Sequence, residues 1–388
     1  MNLRHLWAAA LVCAGLAACG GSSDSGGGGI GGTGSMHVQL TDAPSCGYDA
    51  VNVTIDRVRV HQSSTASDSD AGWSEIVLSP ARRVDLLTLS NGVLEDLGQT
   101  ALPAGTYTQL RLVLAANDAT NPLANSVVPT GGSETALTTP SGQQSGLKMN
   151  VHIDVPANKI ADVVLDFDAC KSVVKRGNSG QYNLKPVITV VPVLTDAGLR
   201  VVGYLDPTLA AGSQVSLQQA GVVVKATAPN AAGQFVLYPV PVGTYDLVIT
   251  SAGHATVVLT GVPVVDTAFT TLNGTATPFV PPVATTLTVT GTVTPATATV
   301  RALQQLTGGP AIEAAWAPVD ATTGEFTVDL PITAPLKAAY VASPSTPTFA
   351  ADGTAAGKYT LEAASGGATK TQAIDTNGVV PPVTFTFP

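Results

Sequence analysis

Alternation of apolar and polar residues is the dominant pattern along much of this chain. Residues 147–155 show it without a break: Leu147 and every second residue after it are apolar, and the residues between are polar. A period of two puts one set on each face of a strand, which is typical of a half-buried strand in an antiparallel sheet. The runs 36–40 and 163–167 extend the pattern. The chain is therefore predicted to be all-β.

A change of phase inside one long strand predicts an irregularity. Odd positions from Val51 to Ile55 are apolar, whereas the even positions take over at Val58. Since side chains alternate strictly between the two faces, a shift of one residue indicates a β-bulge between Ile55 and Val58.

Turn residues divide the first part of the chain further. Asn91-Gly92 lies between the apolar runs 87–89 and 93–94, which predicts a hairpin with a two-residue turn. Residues 117–145 are polar and rich in proline and glycine, so we expect a long loop region with room for a short hairpin.

The strand patterns fall into three blocks. Residues 36–196 are predicted to form an antiparallel β-sandwich-like domain, and residues 199–275 and 285–388 two smaller seven-stranded-type β-sandwich modules that are divergent copies of one design. The proline-rich segment 278–282 between the copies is predicted to act as a stiff spacer.

A Gly-x-Tyr unit begins a strand in every block, at Tyr107, Tyr245 and Tyr359. Glycine permits the left-handed residue that ends a loop. The tyrosine ring then packs in the core, and its hydroxyl forms a hydrogen bond with nearby backbone. This arrangement is called a tyrosine corner. We expect structural anchors here, although a long insert between Leu330 and Gly357 weakens the match of the third block.

The N-terminus has the pattern of a secretory signal. A basic start is followed by an apolar run and by Leu16-Ala17-Ala18-Cys19. The run is shorter than the roughly 20 residues that span a bilayer. Residues 1–18 are therefore predicted to be a signal peptide that is removed.

The end of that signal resembles the bacterial lipobox, in which the cysteine becomes the lipidated first residue. The resemblance implies that Cys19 carries lipid and that this lipid anchors the protein to its partner, the membrane. Cys19 and the glycine- and serine-rich residues that follow it form a flexible tether (19–35), which has a reach of roughly 20–25 Å. Gly20 stands where an Asp favours inner-membrane retention in Gram-negative bacteria, so the resemblance implies export to the outer membrane, facing the periplasm or the surface.

The charge of the chain limits the class of its binding partners, and its cysteine content indicates a disulfide. Only 12% of residues are charged and the net charge is −9, which argues against a nucleic-acid partner. Beyond the signal and the anchor, Cys46 and Cys170 remain. In an oxidising compartment a disulfide between them is the expected state, with two free thiols or a metal site as the alternatives.

Sequence motifs in the first block resemble a bacterial lipoprotein family, domain-of-unknown-function family 4382. The motifs are Val38-Gln39-Leu40-Thr41-Asp42-Ala43-Pro44, the segment 51–58, Leu102-Pro103-Ala104-Gly105-Thr106-Tyr107, Asp166-Phe167-Asp168-Ala169-Cys170 and Leu184-Lys185-Pro186-Val187-Ile188. This resemblance implies a strand-rich exported domain and brings no established activity.

The second block is similar to carboxypeptidase-regulatory-like (transthyretin-like) β-sandwiches, and the third fits more loosely. The similarity rests on Gly233-Gln234-Phe235, on Pro241-Val242-Gly243-Thr244-Tyr245 and on Ser251-Ala252-Gly253-His254-Ala255. His254 departs from the family, which often has tyrosine there. The similarity implies spacer or stability modules, and no catalytic residue transfers.

The acidic groups give two candidate cation sites. Asp162, Asp166 and Asp168 share one face of a predicted strand and could bind a hard cation, or form a solvent-facing side with nearby lysines. The segment 68–72 has the start of a calcium loop but lacks its closing Glu. The histidines beyond the signal peptide are expected to be solvated or hydrogen-bonded.

Taken together, the patterns predict a non-enzymatic cell-envelope lipoprotein with a binding or structural role at the bacterial surface. We expect no catalytic residues and no cofactor, and the partner would be a polysaccharide or a protein. Two alternatives stay open: a carbohydrate-active or peptidoglycan-linked enzyme on an all-β scaffold, which needs paired carboxyls in one cleft, and a cation-dependent adhesion module.

Overall fold

The regular secondary structure in the described part of the chain is almost entirely β-strand, which confirms the all-β prediction. The computed structural model describes residues 32–43, 47–140, 142, 145–193, 198–343 and 345–388. These residues form six sheets, two in each of three successive regions. We name the regions the N-terminal domain (33–193), the middle module (198–284) and the C-terminal module (285–388). No helix in the described ranges has the length and apolar character to cross a membrane.

Twelve strands make up the N-terminal domain as described. They are β1 (Thr33–Asp42), β2 (Tyr48–His61), β3 (Ser74–Asp85), β4 (Glu95–Pro103), β5 (Gly105–Leu114), β6 (Ser126–Pro129), β7 (Thr135–Thr138), β8 (Leu147–Val155), β9 (Ile160–Phe167), β10 (Val173–Lys175), β11 (Tyr182–Leu184) and β12 (Ile188–Val193). One sheet has the order β12-β9-β1-β4, and the other has β10-β11-β7-β6-β2-β5-β8 with β3 paired to β2. A one-turn helix, α1 (Ala169–Ser172), follows β9.

The core of this domain lies between its two sheets. Met36 and Leu40 of β1 are fully buried against Leu110 of β5 and other apolar side chains. Strand β8 has the predicted bounds, and its buried and exposed residues alternate as expected. The register of β2 against both β3 and β5 shifts between Ile55 and Arg57, which confirms the bulge.

The two predictions about turns have different outcomes. Strands β6 and β7 pair as the short hairpin expected in the loop region. The prediction of a hairpin at Asn91-Gly92 is wrong. Both residues do adopt positive φ, but the preceding run, Leu86–Leu89, forms a 3₁₀ turn capped by Asp85. That turn buries Leu86 and Leu89 together, which an extended strand would not do.

The two modules share one seven-stranded design. The middle module contains β13 (Val201–Tyr204), β14 (Ser213–Gln219), β15 (Val222–Thr227), β16 (Gln234–Leu237), β17 (Gly243–Ser251), β18 (Val257–Val264) and β19 (Thr270–Thr271). The C-terminal module contains β20 (Thr286–Thr294), β21 (Thr299–Gln305), β22 (Ala311–Ala317), β23 (Glu325–Pro331), β26 (Lys358–Ser365), β27 (Ala368–Asp375) and β28 (Val383–Thr386). The order β16-β13-β19 repeats as β23-β20-β28, and β15-β14-β17-β18 repeats as β22-β21-β26-β27.

The insert in the third block joins the sheet of its neighbour. Residues 332–356 supply β24 (Leu336–Ala339) and β25 (Ala350–Ala351). Strand β24 pairs in parallel with β18 and so extends the larger sheet of the middle module. The chain therefore crosses from one module to the other and back before β26.

The segment between the modules is part of the middle module and not a stiff spacer between two modules, which corrects the expectation for residues 278–282. Phe279 is buried in the core of the middle module, where its ring centroid lies 6.4 Å from that of Phe235. Its backbone also forms a bridge with Leu205. An apolar aromatic side chain gains more from burial than a proline-rich segment gains from staying extended in water.

Candidate functional site

Asp162, the first of the three candidate carboxylates, binds a histidine. His37 of β1 lies between two carboxylates: its Nδ1 is 2.7 Å from Asp162 and its Nε2 is 3.1 Å from Asp96. Burial works to lower the pKa of His37, but the hydrogen bonds to Asp162 and Asp96 outweigh it and raise the pKa. The half-buried His37 thus links three strands of one sheet.

Asp166, on the same face of β9, binds a lysine from another region. Lys225 of β15, in the middle module, places its Nζ 2.6 Å from Asp166 Oδ1. The two side chains are 2% and 8% exposed, so the pair is enclosed between the N-terminal domain and the middle module. Burial raises the pKa of Asp166, and Lys225 opposes the change.

Asp168 and Lys171 connect the N-terminal domain to the C-terminal module. Asp168 caps α1 by accepting a hydrogen bond from the backbone N–H of Lys171, and burial raises the pKa of its carboxyl. Lys171 Nζ donates to Glu313 Oε1 at 2.9 Å. On the far side, Arg301 lies 3.3 Å from Glu313 and 2.6 Å from Glu362.

The two modules are joined by a reciprocal pair of hydrogen bonds. The side chain of Gln218 accepts from the backbone N–H of Glu313 at 2.7 Å and donates to its carbonyl at 2.9 Å. Three regions therefore meet through one set of polar contacts, which we call the junction network. Its members are Asp166, Asp168, Lys171, Gln218, Lys225, Arg301 and Glu313.

The three candidate carboxylates do not converge on a common point. Asp162 and Asp166 are four residues apart on one strand, which separates them by about 13 Å. Each has its own cationic or histidine partner, as described above. Across the described residues, no group of three His, Cys, Asp or Glu side chains is arranged to hold a metal ion. At Asp166 and Asp168, the face expected to be open to solvent or to a cation is an interface between regions.

The acidic segment 68–72 also has protein partners. Asp68 forms ion pairs with Arg59 and Arg111, and Asp70 accepts from Ser67. The guanidinium groups of Arg59 and Arg111 lie 4.6 and 4.7 Å from the ring centroid of Trp73. This stack fixes the loop before β3, where Asp68 is engaged by arginines of the chain itself and Asp70 by Ser67.

A cleft of about 570 Å³ opens beside the junction network, between the N-terminal domain and the C-terminal module. Apolar side chains such as Leu184 and Val319 line it, and the half-buried ring of Trp316 forms part of the wall. Lys171 lies over that ring, with Nζ 4.9 Å from its centroid.

The cysteine predictions fall largely outside the described residues. Cys19 and the whole signal peptide lie there, as does Cys46. Cys170 is in α1. The pairing of Cys46 with Cys170 stays a prediction.

Residues 33–186 match the model of a protein family described as a domain of unknown function, DUF4382. The N-terminal domain is a DUF4382 domain. This confirms the resemblance seen in its motifs, and the matched family carries no assigned activity.

Other comparisons add little. No curated protein matches the chain at a significant level. Two similar solved structures are an N-terminal and a C-terminal interface mutant of a type II cohesin–X-dockerin complex from Acetivibrio cellulolyticus. They share 24% and 27% identity over 22% of this chain, spanning 59% and 57% of those chains, with TM-scores of 0.20 and 0.19. At these TM-scores we infer neither fold nor function.

Sequence reasoning missed the partners of the DUF4382 domain in the junction network. One signal was present. Lys225 interrupts a run of apolar residues that begins at Val222. Because lysine is almost never fully buried without a partner, such a position indicates a buried ion pair. The sequence did not identify Asp166 as the partner, since it lies 59 residues away.

Proposed function

We propose that this protein is a lipid-anchored lipoprotein of the bacterial envelope that acts by binding, without catalysis. The anchor rests on the lipobox-like segment that ends at Cys19, and the observation that carries the binding role is the enclosed Lys225–Asp166 pair. It holds the DUF4382 domain against the middle module, while Lys171 and Glu313 hold it against the C-terminal module. Such contacts suit a rigid scaffold that presents a surface at a fixed orientation.

The modules support a spacer role. The middle and C-terminal modules have the same strand order, as expected for copies of one carboxypeptidase-regulatory-like unit. We assign them the work of stiffening and positioning the DUF4382 domain. The enzyme alternative needs carboxyls that face each other in one cleft, and the adhesion alternative needs carboxyls free to bind a cation. The carboxylates singled out in this chain have partners within it: Asp68, Asp166 and Asp168 pair with arginine or lysine, Asp162 with His37, and Asp70 with Ser67.

The anchor is tested by metabolic labelling. A bacterium expressing the full chain should incorporate radiolabelled palmitate into it, because lipid is added at Cys19. The Cys19→Ala variant should remain unlabelled. Cys170→Ala is the matched control and should be labelled like the wild type. Label in the Cys19→Ala variant, or none in the wild type, would remove the anchor from the proposal.

A disulfide between Cys46 and Cys170 belongs to the same proposal of export. The described residues on either side of Cys46 lie against those around Cys170. Asp42 Oδ1 accepts from the backbone N–H of Ala169 at 2.9 Å, and the hydroxyl of Tyr48 donates to the carbonyl of Val173 at 3.4 Å.

The disulfide is tested by peptide mapping of protein from the envelope. Non-reducing digestion followed by mass spectrometry should give one peptide pair that joins Cys46 to Cys170, and reduction should separate it. In the chain-entropy model, closing a loop of this size stabilises the folded state by about 4–5 kcal/mol. Alkylation of both thiols in native protein would refute the pairing.

A further inference from the structure

The cleft between the DUF4382 domain and the C-terminal module has apolar walls on both sides. Leu184 and Val187 come from the DUF4382 domain, and Ala298, Trp316 and Val319 come from the C-terminal module. Its volume of about 570 Å³ falls within the range of sites for small organic molecules. Apolar walls favour a ligand with an apolar body, since burying such surface is favourable.

The charged groups of the cleft are all positive within its described lining. They are Lys148, Lys171 and Lys185, and no Asp or Glu accompanies them. Lys171 is neutralised by Glu313 at 2.9 Å. Lys148 and Lys185 have no carboxylate within ion-pair distance among the described residues. In a chain with a net charge of −9, two such ammonium groups at one cleft form a local positive site.

The hydrogen bonds of these two lysines leave donors available. Lys148 Nζ donates to the carbonyl of Ser64 at 2.8 Å, and Lys185 Nζ donates to the carbonyls of Thr297 and Ala298. An ammonium group has three donors, so both can bind an additional acceptor. Burial lowers the pKa of Lys185, and a bound anion would oppose that effect.

The wall of the cleft also contains a hydrogen-bond acceptor that has no donor among the described residues. Asn183 Oδ1 is buried and has no hydrogen-bond partner among the described residues. Because buried polar atoms are nearly always paired in folded proteins, this atom marks a place where a further molecule donates a hydrogen bond. The apolar walls, the two lysines and this acceptor point to an amphipathic occupant.

We propose that the cleft binds a monoanionic amphiphile, with an apolar body against Trp316 and Val319 and a carboxylate at Lys185 and Lys148. An apolar body of about ten heavy atoms suits a site of this size. The proposal rests on the binding role given above and names the class of ligand. The charges exclude a cationic amphiphile, and the apolar walls disfavour a fully hydrophilic anion.

The test uses decanoate and the intrinsic fluorescence of Trp316. The full chain has three tryptophans, so the Trp7→Phe/Trp73→Phe double variant retains Trp316 alone. A Cys19→Ala background removes the chain's own lipid as a competitor. Decanoate should change the fluorescence saturably, with a dissociation constant at least tenfold lower than that of decan-1-ol. Decylammonium should not bind.

Charge variants then locate the head group. Lys185→Met should raise the dissociation constant of decanoate at least fivefold and leave that of decan-1-ol unchanged. Lys148 is exposed, so Lys148→Met tests the same site with little risk to folding and should raise the constant at least twofold. The exposed Lys159, outside the cleft, is the matched control, and Lys159→Met should bind like the parent. Circular dichroism verifies that each variant is folded.

Three outcomes would overturn the inference. They are no saturable response to decanoate, equal affinity for decanoate and decan-1-ol, or unchanged affinity in folded Lys148→Met and Lys185→Met variants. None of these results affects palmitate labelling at Cys19, which tests the anchor separately. Loss of labelling with intact decanoate binding would remove the anchor and leave the ligand class in place.

Discussion

Asp42 is a buried carboxyl in the DUF4382 domain, only 1% exposed. Burial raises its pKa well above 3.8, and the nearby charges of Asp168 and Asp166 add to the rise. The hydrogen bond from Ala169 opposes it. Asp42 Oδ2 has no hydrogen-bond partner among the described residues. The folded protein therefore keeps this carboxyl protonated at pH values where the unfolded chain has lost the proton.

This difference gives a pH dependence with a defined sign. Where the folded state binds more protons than the unfolded state, the free energy of unfolding falls as pH rises. The window begins near the unfolded pKa and extends upward to the raised folded pKa of Asp42. Asp42→Asn cannot ionise and keeps an acceptor for Ala169. It should therefore lose less stability than the wild type as the pH rises above the pKa of an aspartate in the unfolded chain.

Urea unfolding at a series of pH values measures this slope. The exposed Asp266 provides the control, because Asp266→Asn removes the same charge outside a buried site. Its slope should match the wild type. If Asp42→Asn also follows the wild-type slope, the raised pKa is refuted.

The sequence limits what can be foreseen about such residues. Lys225 stands out as a charge within an apolar run, so its burial was open to prediction. Its partner was not, because periodicity assigns a residue to a face and does not say which region covers that face. The same limit applies to Asp166, because the pattern places it on a face that faces solvent or a cation, and the middle module covers it.

At the scale of elements, the tyrosine corners show what local pattern can and cannot predict. The hydroxyl of Tyr107 donates to Pro103 at 3.0 Å, and that of Tyr245 donates to Pro241 at 2.7 Å. In both contacts the donor and the acceptor are four residues apart in sequence, so the contacts follow from the local sequence. Tyr359 makes the equivalent contact with Pro331, so the whole insert lies between donor and acceptor.

The position of that insert depends on long-range pairing. Parallel contact between β24 and β18 joins segments far apart in sequence, and alternation in either strand carries no information about the other. By contrast, β8 and the bulge in β2 are properties of one continuous run. The sequence therefore predicted those features, whereas the addition of β24 and β25 to the sheet of the middle module required the structure.

A substitution of Phe349, which lies in the insert, tests whether the insert stabilises the middle module. Its ring packs at 86° against Phe279, with centroids 5.9 Å apart, at the core of the middle module. Phe349→Ala should destabilise the protein by about 2–3 kcal/mol, somewhat less than for a fully buried Phe because the ring is only half-buried. Val379 is 97% exposed, and Val379→Ala is the control, expected within about 0.5 kcal/mol of the wild type. Equal stability of the two variants would show that the insert adds nothing to the module.

At the scale of the whole described unit, stability depends on contacts between regions. Residues from Gly32 to Pro388 cluster as one compact unit, and the junction network joins its three regions. A buried ion pair contributes little compared with a well-packed apolar contact, but removing one partner is costly because the other charge stays buried. The network therefore makes the unfolding of each region depend on its neighbours.

Two tryptophans report this coupling from different regions, Trp73 in the DUF4382 domain and Trp316 in the C-terminal module. Single-tryptophan versions of the processed chain should unfold in urea at one common midpoint. Glu313→Ala removes the partner of Lys171, which keeps only Asp168 at 3.8 Å. It should cost about 3 kcal/mol and separate the two midpoints.

The matched control for this last experiment is Glu362→Ala. Glu362 pairs with Arg301 inside the C-terminal module and makes no ion pair across the junction within the described residues. Its loss should lower stability without separating the midpoints, because the contact between Lys171 and Glu313 stays in place. Separation in both variants, or in neither, would mean that Glu313 does not hold the regions together. A common midpoint in the wild type that splits only in Glu313→Ala requires a rigid unit held by this contact.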